Sequence, residues 1–491
     1  MTNRPGWNPT QAQFATLLAT TTITVYAVIA SGAAVAARES ANCSRWPVCV
    51  PEPGTVLTAD VLLVVGHRFV TAIAGCLLVA TLLAGWRVEL DRWARLALAA
   101  GAAIFGVQIG LGAVVATTEF AYLTELHLVI AAAIFVCLLI AVSWTLEGRT
   151  ADCDGRVAST ATTPTDHDQP EAPVESAEAE QSVQSPQPER RADDQPGFES
   201  LRARASAYLE LTKPRLMWLL CLLAVAGMAL ATTTGQWPSG VTVVATLAGG
   251  ILAIGASGTF NHLFERERDQ RMERTAERPV ATDQIPVRDA AIFASALVVL
   301  SMGVLVAFVN VLAAALTFAA IVYYSVVYTV VLKPNTSWNI AIGGGSGALP
   351  ALIGWAAVTG SIGVGGLLLA ALVVVWTPAH FYNLAIAYRD DYARGGYPMF
   401  PVVAGIPAAR RRVLLTLGAT LLVTASLVVL TPLGWLFAVA AIVAGAVFFA
   451  SAVSQCRRRT DDATMQTFFV SIAYLGVVLA AIVVEALLLF P

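Results

Sequence analysis

Long uninterrupted apolar runs dominate the pattern of the chain. Runs of about 20 such residues have the length of a helix that crosses a bilayer. Four fall in the N-terminal part, near 14–36, 61–85, 94–117 and 124–146. Nine follow in the C-terminal part, near 216–234, 241–262, 289–309, 311–332, 339–358, 366–386, 413–431, 433–453 and 467–490. The pattern predicts an all-α integral membrane protein, a four-helix transmembrane bundle followed by a nine-helix one. The thirteenfold count depends on breaks at Asn310 and Pro432, where adjacent runs are nearly continuous. The first run has polar Thr flanks and no convincing cleavage site, so it reads as a retained helix and not a signal peptide.

A polar stretch separates the two groups. Residues 150–199 hold 12 acidic and 3 basic residues, six Pro and a single aromatic residue, Phe198. Such a segment cannot bury enough apolar surface to offset its ordering entropy. It predicts a disordered acidic linker over 147–205, between a four-helix domain at 1–146 and a nine-helix domain at 206–491. Composition agrees: 57% of residues are hydrophobic, 13% are charged, and the mean hydropathy is +0.69. Soluble domains are about 25% charged, so an ordinary soluble enzyme is excluded. Seven Cys in 491 residues exclude a disulfide scaffold. The net charge of −3 divides into −9 for the linker window and +6 for the remainder. Of the 30 basic residues only Lys213 and Lys333 are lysines.

The basic residues set the expected topology, because they cluster on the cytoplasmic side of membrane proteins. Loops 263–288, 387–412 and 454–466 carry six, five and three Arg, and the alternate loops near 235–240, 359–365 and 430–434 carry none. Lys333 falls on the basic side. Arg87, Arg92 and Arg95 place the middle loop of the N-terminal part inside as well. The expectation is a multi-pass cell-membrane protein with N-terminus and linker cytoplasmic and C-terminus extracytoplasmic.

The densest chemistry lies at 261–279. Asn261, Glu265 and Asp269 stand four apart, and successive positions drift only about 40° around a helix. All three therefore share one face, where a span meets the cytoplasm. Hard oxygen ligands there suit Mg²⁺, which also binds substrate phosphates. Arg274 and Arg278 could hold a diphosphate by paired hydrogen bonds. The plain alternative is a solvated, salt-bridged helix end. A second cluster at the same membrane face, 376–401, contains the pair Asp390 and Asp391, with His380 and Asn383 deeper in the span. Two acidic clusters could bind two Mg²⁺ ions around one diphosphate and stabilise its departure.

These stretches resemble the aspartate-rich motifs of the UbiA-type intramembrane prenyltransferases. Their detail is similar to the protohaem IX farnesyltransferase (haem O synthase) branch. Three ordered segments carry the likeness: Asn261 to Pro279; Tyr328 through Lys333 and Asn339 to the Gly343–Gly345 and Gly347–Pro350 stretch; and Trp376 to Pro401. It covers about 205–491 and includes the nine-helix count. The resemblance implies that farnesyl diphosphate ionises with Mg²⁺ assistance, that a vinyl group of haem b captures the allylic cation, and that water completes a hydroxyethylfarnesyl group. It implies Mg²⁺ on Glu265, Asp269, Asp390 and Asp391, with Asn261 in the first motif and Lys333 near the diphosphate. Glu265 stands where many relatives have Asp. His380 is a candidate for haem binding or proton handling; the alternative is a hydrogen-bonded interior residue.

The N-terminal part has its own candidates. His67 and His127 are its only histidines and fall at similar depth, as a bis-His haem site in a bundle requires. Cys43 and Cys49 lie on an extracytoplasmic loop, where a disulfide is permitted, and five intervening residues allow closure. Cys76, Cys137 and Cys221 fall inside spans as packing residues; Cys153 and Cys456 have no evident partner. The set Cys43, Cys49, His67-Arg68, Gln108, Gly112 and His127 resembles one half of the haem A synthases, over about 14–146. That family repeats the half and places a Glu three residues before the first His. Here there is one copy, and the position is Val64, with Asp60 and Glu125 the nearest acids. The resemblance implies haem binding before oxidation of the haem O methyl. A single copy could pair with a second chain as a homo-oligomer or hand haem to the other domain.

The leading expectation is thus a haem farnesyltransferase with a fused haem-binding domain, its partners being farnesyl diphosphate, haem b and the bilayer. The alternatives are a quinone or other aromatic prenyltransferase and, for the N-terminal part, a haem carrier or electron-transfer module. No duplicated half-repeat suggests a transporter. No exposed basic domain suggests nucleic acid.

Overall fold

Hydrocarbon offers no water to satisfy backbone N–H and C=O groups, so each apolar run closes its own hydrogen bonds as a helix. The structure is a computed structural model that describes residues 9–37, 59–118, 121–148 and 198–489. Cys43, Cys49, Cys153 and most of the acidic linker lie outside the described residues. Thirteen of the described helices are long and apolar enough to cross a membrane.

Four belong to the N-terminal part: α1 (Gln11–Ala36), α2 (Ala59–Gly85), α3 (Arg92–Thr117) and α4 (Ala121–Glu147). A short helix, α5 (Phe198–Leu211), precedes α6 (Pro214–Ala231), α7 (Gly240–Asp269), α8 (Val287–Phe308) and α9 (Val311–Val322). From α9 the chain continues as a π-helix, Tyr323–Leu332, and a last turn, Lys333–Asn335. Then come α10 (Asn339–Thr359), α11 (Val364–Ala387), the short α12 (Arg389–Arg394) and α13 (Phe400–Ala404), and α14 (Ile406–Leu430), α15 (Trp435–Arg458) and α16 (Asp461–Leu489).

Local polar residues make the breaks. Asn310 Oδ1 accepts the Ala313 N–H at 2.8 Å and caps α9, while its Nδ2 donates to the Ala356 carbonyl, also at 2.8 Å. One side chain thus divides α8 from α9 and ties the junction to α10. Asp91 caps α3 through the Trp93 N–H at 2.8 Å, and Ser239 caps α7 through the Thr242 N–H at 3.0 Å.

The end of the linker differs from the sequence expectation. Positions 198–205 are helical, as the first part of α5, and Glu147 is the last residue of α4. Ala207 and Leu211 of α5 pack against Val280, Ile285 and Ala290, and Tyr208 meets Phe293 edge-on at 5.0 Å. That apolar face lies beyond the acidic window of 150–199, and the polar turns at 198–205 lead into it as one helix.

The two membrane parts share one continuous core. α1 and α4 pack against α14 and α15. Leu139 of α4 fits over Gly418 of α14, where an added Cβ would lie 2.0 Å from its Cδ2. The Tyr26 hydroxyl donates to the Ala441 carbonyl at 3.4 Å. Glu147, fully buried, faces Arg410 and Arg459 at 3.9 Å each, and Arg411 lies over the Trp144 ring at 5.4 Å. The end of α4 therefore lies on the same face of the bundle as the start of α14 and the end of α15.

Candidate active site

Helix α7 runs past its apolar stretch as far as Asp269, so the acidic motif is built on the helix itself. Asn261, Glu265 and Asp269 lie on one buried face, each at most 3% exposed. Charges buried so deeply are costly unless paired, and every one has a partner. Lys333, on the turn after the π-helix, donates to Glu265 Oε1. Arg278 Nη1 lies 2.7 Å from Asp269 Oδ2 and 3.7 Å from Glu265 Oε2. Lys213, just before α6, donates to Asn261 Oδ1, and Asn261 Nδ2 donates to Thr329 Oγ1 at 3.2 Å. Tyr324 and Tyr397 close the sides: Lys213 lies 5.7 Å from the Tyr324 ring centre and Lys333 4.5 Å from that of Tyr397.

Burial pulls the half-buried Lys213 ammonium down to about 7, and Arg278 nearby acts in the same direction. Burial, with Glu265 and Asp269 adding to it, pushes the Tyr397 phenol up.

The second acidic pair stands apart from the α7 face. Asp391 is buried; its Oδ1 accepts the Glu273 N–H at 2.7 Å and faces Arg394 at 3.0 Å. Asp391 Oδ2 is buried with no hydrogen-bond partner. Asp390 is exposed and lines an open cleft of about 520 Å³ with Glu273, Arg274, Tyr388 and Asp391. Arg274 belongs to this cleft: its guanidinium lies 5.1 Å from the Tyr388 ring centre and 5.7 Å from that of Tyr392. The two arginines paired by spacing therefore serve different places, Arg278 the α7 face and Arg274 the cleft. The loop 270–278 connects them. Among the described residues, no group of three or more His, Cys, Asp or Glu side chains gathers as a metal-holding set. The donors nevertheless fit Mg²⁺ in kind: Glu265 and Asp269 offer hard oxygens one turn apart, and Asp391 keeps an orphaned acceptor.

His380 is packed tightly inside α11. Its ring stacks between Trp376, at 4.4 Å, and Phe468, at 4.3 Å. Its Nδ1 shares a hydrogen bond of 2.6 Å with Ser471 Oγ on α16. Asn383, one turn on, is fully buried and donates to the Ala379 carbonyl at 2.7 Å.

In the N-terminal part, α2 packs on α1 and α3 on α4, with α1 against α4. Each histidine lies on a glycine of the preceding helix. A Cβ at Gly32 would stand 2.8 Å from His67 Cε1, and one at Gly112 would stand 3.0 Å from His127 Cε1. His67 Nδ1 shares a hydrogen bond with Ser31 Oγ at 3.1 Å, and Gln108 Nε2 donates to the His127 carbonyl at 2.8 Å. His127 Nδ1 is buried without a partner. Val64 is buried and Glu125 exposed.

Residues 220–473 match the UbiA prenyltransferase family. A Natronomonas pharaonis protein named Protoheme IX farnesyltransferase 1 is 48% identical, over 96% of this chain and 98% of its own. The chain belongs to the UbiA prenyltransferase family. It is a prenyltransferase, a transferase enzyme of the multi-pass, all-α membrane class. Protoheme IX farnesyltransferase of Haloarcula marismortui is 46% identical over 97% of this chain and 99% of its own. A Nostoc protein of the same name is 42% identical, over 57% of this chain and 88% of its own. Among solved structures, a UbiA homolog from Archaeoglobus fulgidus bound to GPP and Mg²⁺ overlaps at a TM-score of 0.42, with 16% identity over 56% of this chain and 99% of that one.

Sequence reasoning missed Lys213, Tyr324, Thr329 and Tyr397 as members of this prenyltransferase's polar cluster. For Lys213 a signal existed. In a chain whose basic residues are otherwise all Arg, both lysines end on the same face of α7.

Proposed function

We propose that this prenyltransferase joins farnesyl diphosphate to a vinyl group of haem b, giving haem O for haem–copper oxidases. The observation that carries the reaction class is the buried α7 face, where Asn261, Glu265 and Asp269 meet Lys213, Arg278 and Lys333. The haem acceptor is supported by the printed names of relatives aligned along nearly the whole chain. Lys333, Arg278 and Lys213 would hold the diphosphate oxygens. Glu265 and Asp269 on the α7 face, and Asp390 and Asp391 at the neighbouring cleft, would each hold a Mg²⁺ ion. Those ions would supply neutralisation of the leaving group's charge.

In the reaction the allylic C–O bond breaks and its electron pair leaves with the diphosphate. The haem vinyl carbon forms the new C–C bond. Water adds to the resulting cation and yields its proton to the released diphosphate. The Lys and Arg side chains stabilise the negative charge as it develops, beside carboxylates that are almost fully buried.

The test is expression in a host lacking haem O synthase, followed by mass analysis of extracted haems. Haem O is expected from the wild type, and Glu265→Ala or Asp269→Ala should lower it by about 100-fold or more. Normal haem O in either variant would overturn the assignment of these residues. A prenylated quinone with no haem O would favour the aromatic-acceptor alternative.

A second reading concerns the N-terminal half. Its support is the pair of imidazoles, each with its Cε1 against a glycine of a neighbouring helix, with His127 Nδ1 lacking a partner. These residues would bind haem, as carrier or electron-transfer site; oxidation of haem O lacks the expected acid at Val64. The purified full chain should show a low-spin haem spectrum that disappears in a His67→Ala/His127→Ala variant. A spectrum unchanged in that variant would remove this reading. The orientation with linker and N-terminus cytoplasmic follows from the Arg-rich loops. Reporter fusions at the C-terminus would test it.

A further inference from the structure

The cations around the α7 face outnumber its carboxylates. Lys213, Arg278 and Lys333 stand against Glu265 and Asp269. With Lys213 protonated the cluster carries a formal excess of one positive charge; with Lys213 neutral it is balanced. In neither state is there net negative charge to draw a free divalent cation out of water, where its hydration is strong.

The contacts make the same point residue by residue. Glu265 Oε1 is held by Lys333, Glu265 Oε2 and Asp269 Oδ2 face Arg278, and Asn261 Oδ1 accepts from Lys213. Each residue that could ligate a metal already holds a side-chain cation or its N–H. Because the carboxylates are buried, removing a partner without replacing its charge is strongly unfavourable. A diphosphate removes that obstacle, because its oxygens accept the Lys and Arg hydrogens and free the carboxylates for a metal. The neighbouring cleft differs. Asp391 Oδ2 has no partner and Asp390 is exposed.

We infer that the α7 face accepts its divalent cation only with or after the diphosphate, because Lys213, Lys333 and Arg278 occupy the cation's position until the anion draws them away. The inference rests on reading this face as the diphosphate site. It makes the binding order a property of the side chains: a cation arriving alone meets a neutral or positive cluster, whereas an anion meets three donors.

The experiment is titration calorimetry on the full chain in detergent, in an Asp390→Asn/Asp391→Asn background that silences the cleft. Mg²⁺ alone, inorganic pyrophosphate alone, and the two together are the probes. Any Mg²⁺ taken up by acidic residues elsewhere in the chain would be common to all variants and cancel in their comparison. Pyrophosphate alone is expected to bind; Mg²⁺ alone is not, and binds once pyrophosphate is present. Lys333→Met should strengthen Mg²⁺ binding in the absence of anion by about tenfold or more, and weaken pyrophosphate by a similar factor. Lys333→Arg should behave as the parent. Lys213→Met provides the same comparison if Lys333→Met folds poorly. Mg²⁺ bound one per chain without anion, with an affinity indifferent to both lysines, would overturn the inference. No step of this test involves haem, so its failure and the failure of the haem acceptor are distinguishable.

Discussion

Lys213 and Lys333 are the only lysines in the chain, and their ammonium groups end one turn apart along α7, on Asn261 and Glu265. A lysine differs from the many arginines in being able to lose its proton when buried. Lys213 is held near 7 in the absence of anion, chiefly by burial. A bound diphosphate adds negative charge and raises that value. Pyrophosphate binding above about pH 7 should therefore take up a proton, and affinity should fall as pH rises from about 7 to 9. Calorimetry in buffers of different ionisation enthalpy checks the proton, and Lys213→Arg, which stays charged, should flatten the profile. The folded chain without anion has the opposite dependence. Its Lys213 is less basic than an unfolded lysine, so the unfolded chain binds more protons between about 7 and 10.4 and folding gains stability as pH rises through that window. Of the residues in this cluster, Glu265 and Asp269 were legible by their spacing. Lys213 was not, because nothing local relates it to a helix that begins 27 positions later.

At the scale of elements, the decisive departures from a plain apolar helix are local. In the π-helix Tyr323–Leu332, Thr329 Oγ1 reaches the carbonyl of Tyr324 five residues back at 2.9 Å. The widened turn brings Tyr324 beside Lys213 and Thr329 under Asn261. An apolar periodicity reads such a segment as an ordinary helix, since the wider turn alters the angular position of each side chain but not its composition. Close crossings are equally invisible. Gly227 of α6 and Gly354 of α10 each meet the other helix's backbone: a Cβ at Gly354 would lie 2.0 Å from the Ala224 carbonyl oxygen, and one at Gly227 would lie 2.4 Å from that of Ala351. Small residues at both sides permit this approach in a membrane. Gly354→Ala must separate the two helices, since a backbone oxygen cannot rotate away. It should cost about 1–3 kcal/mol, measured as a lower thermal midpoint in detergent. An unchanged midpoint would mean that the crossing is looser than described.

The whole molecule places α1 and α4 of the N-terminal part against α14 and α15 of the prenyltransferase part, with Glu147, Arg410, Arg459 and Trp144 on one face of the seam and Tyr26 and Leu139 within it. The three arginines at the start of α14 divide between neighbours. Arg410 faces Glu147, Arg411 covers Trp144, and Arg412 donates to the Tyr382 hydroxyl at 3.3 Å and lies over Phe400. A seam of this kind does not need its covalent linker. A protease site placed within 160–190 and cleaved in detergent should leave the two parts co-eluting by size exclusion. Arg410→Ala leaves Glu147 buried without its α14 partner and should weaken the seam by about 3 kcal/mol, read as separation of the cleaved parts. Parts that separate at once after cleavage of the wild-type chain would show that the linker holds them.

The sequence by itself determined the properties that follow from chain-local physics. Apolar length made thirteen spans, because hydrocarbon forces each run to satisfy its own backbone. The four-residue spacing of Asn261, Glu265 and Asp269 placed them on one face, because a helix has a fixed pitch. Tertiary structure decided what lies far apart in sequence. It set three cations against two carboxylates, sent Arg274 and Arg278 to different sites, stacked His380 between Trp376 and Phe468, and merged two apparent membrane domains into one core. Pairing, burial and close approach depend on which helix faces lie against each other, and no local periodicity records that choice.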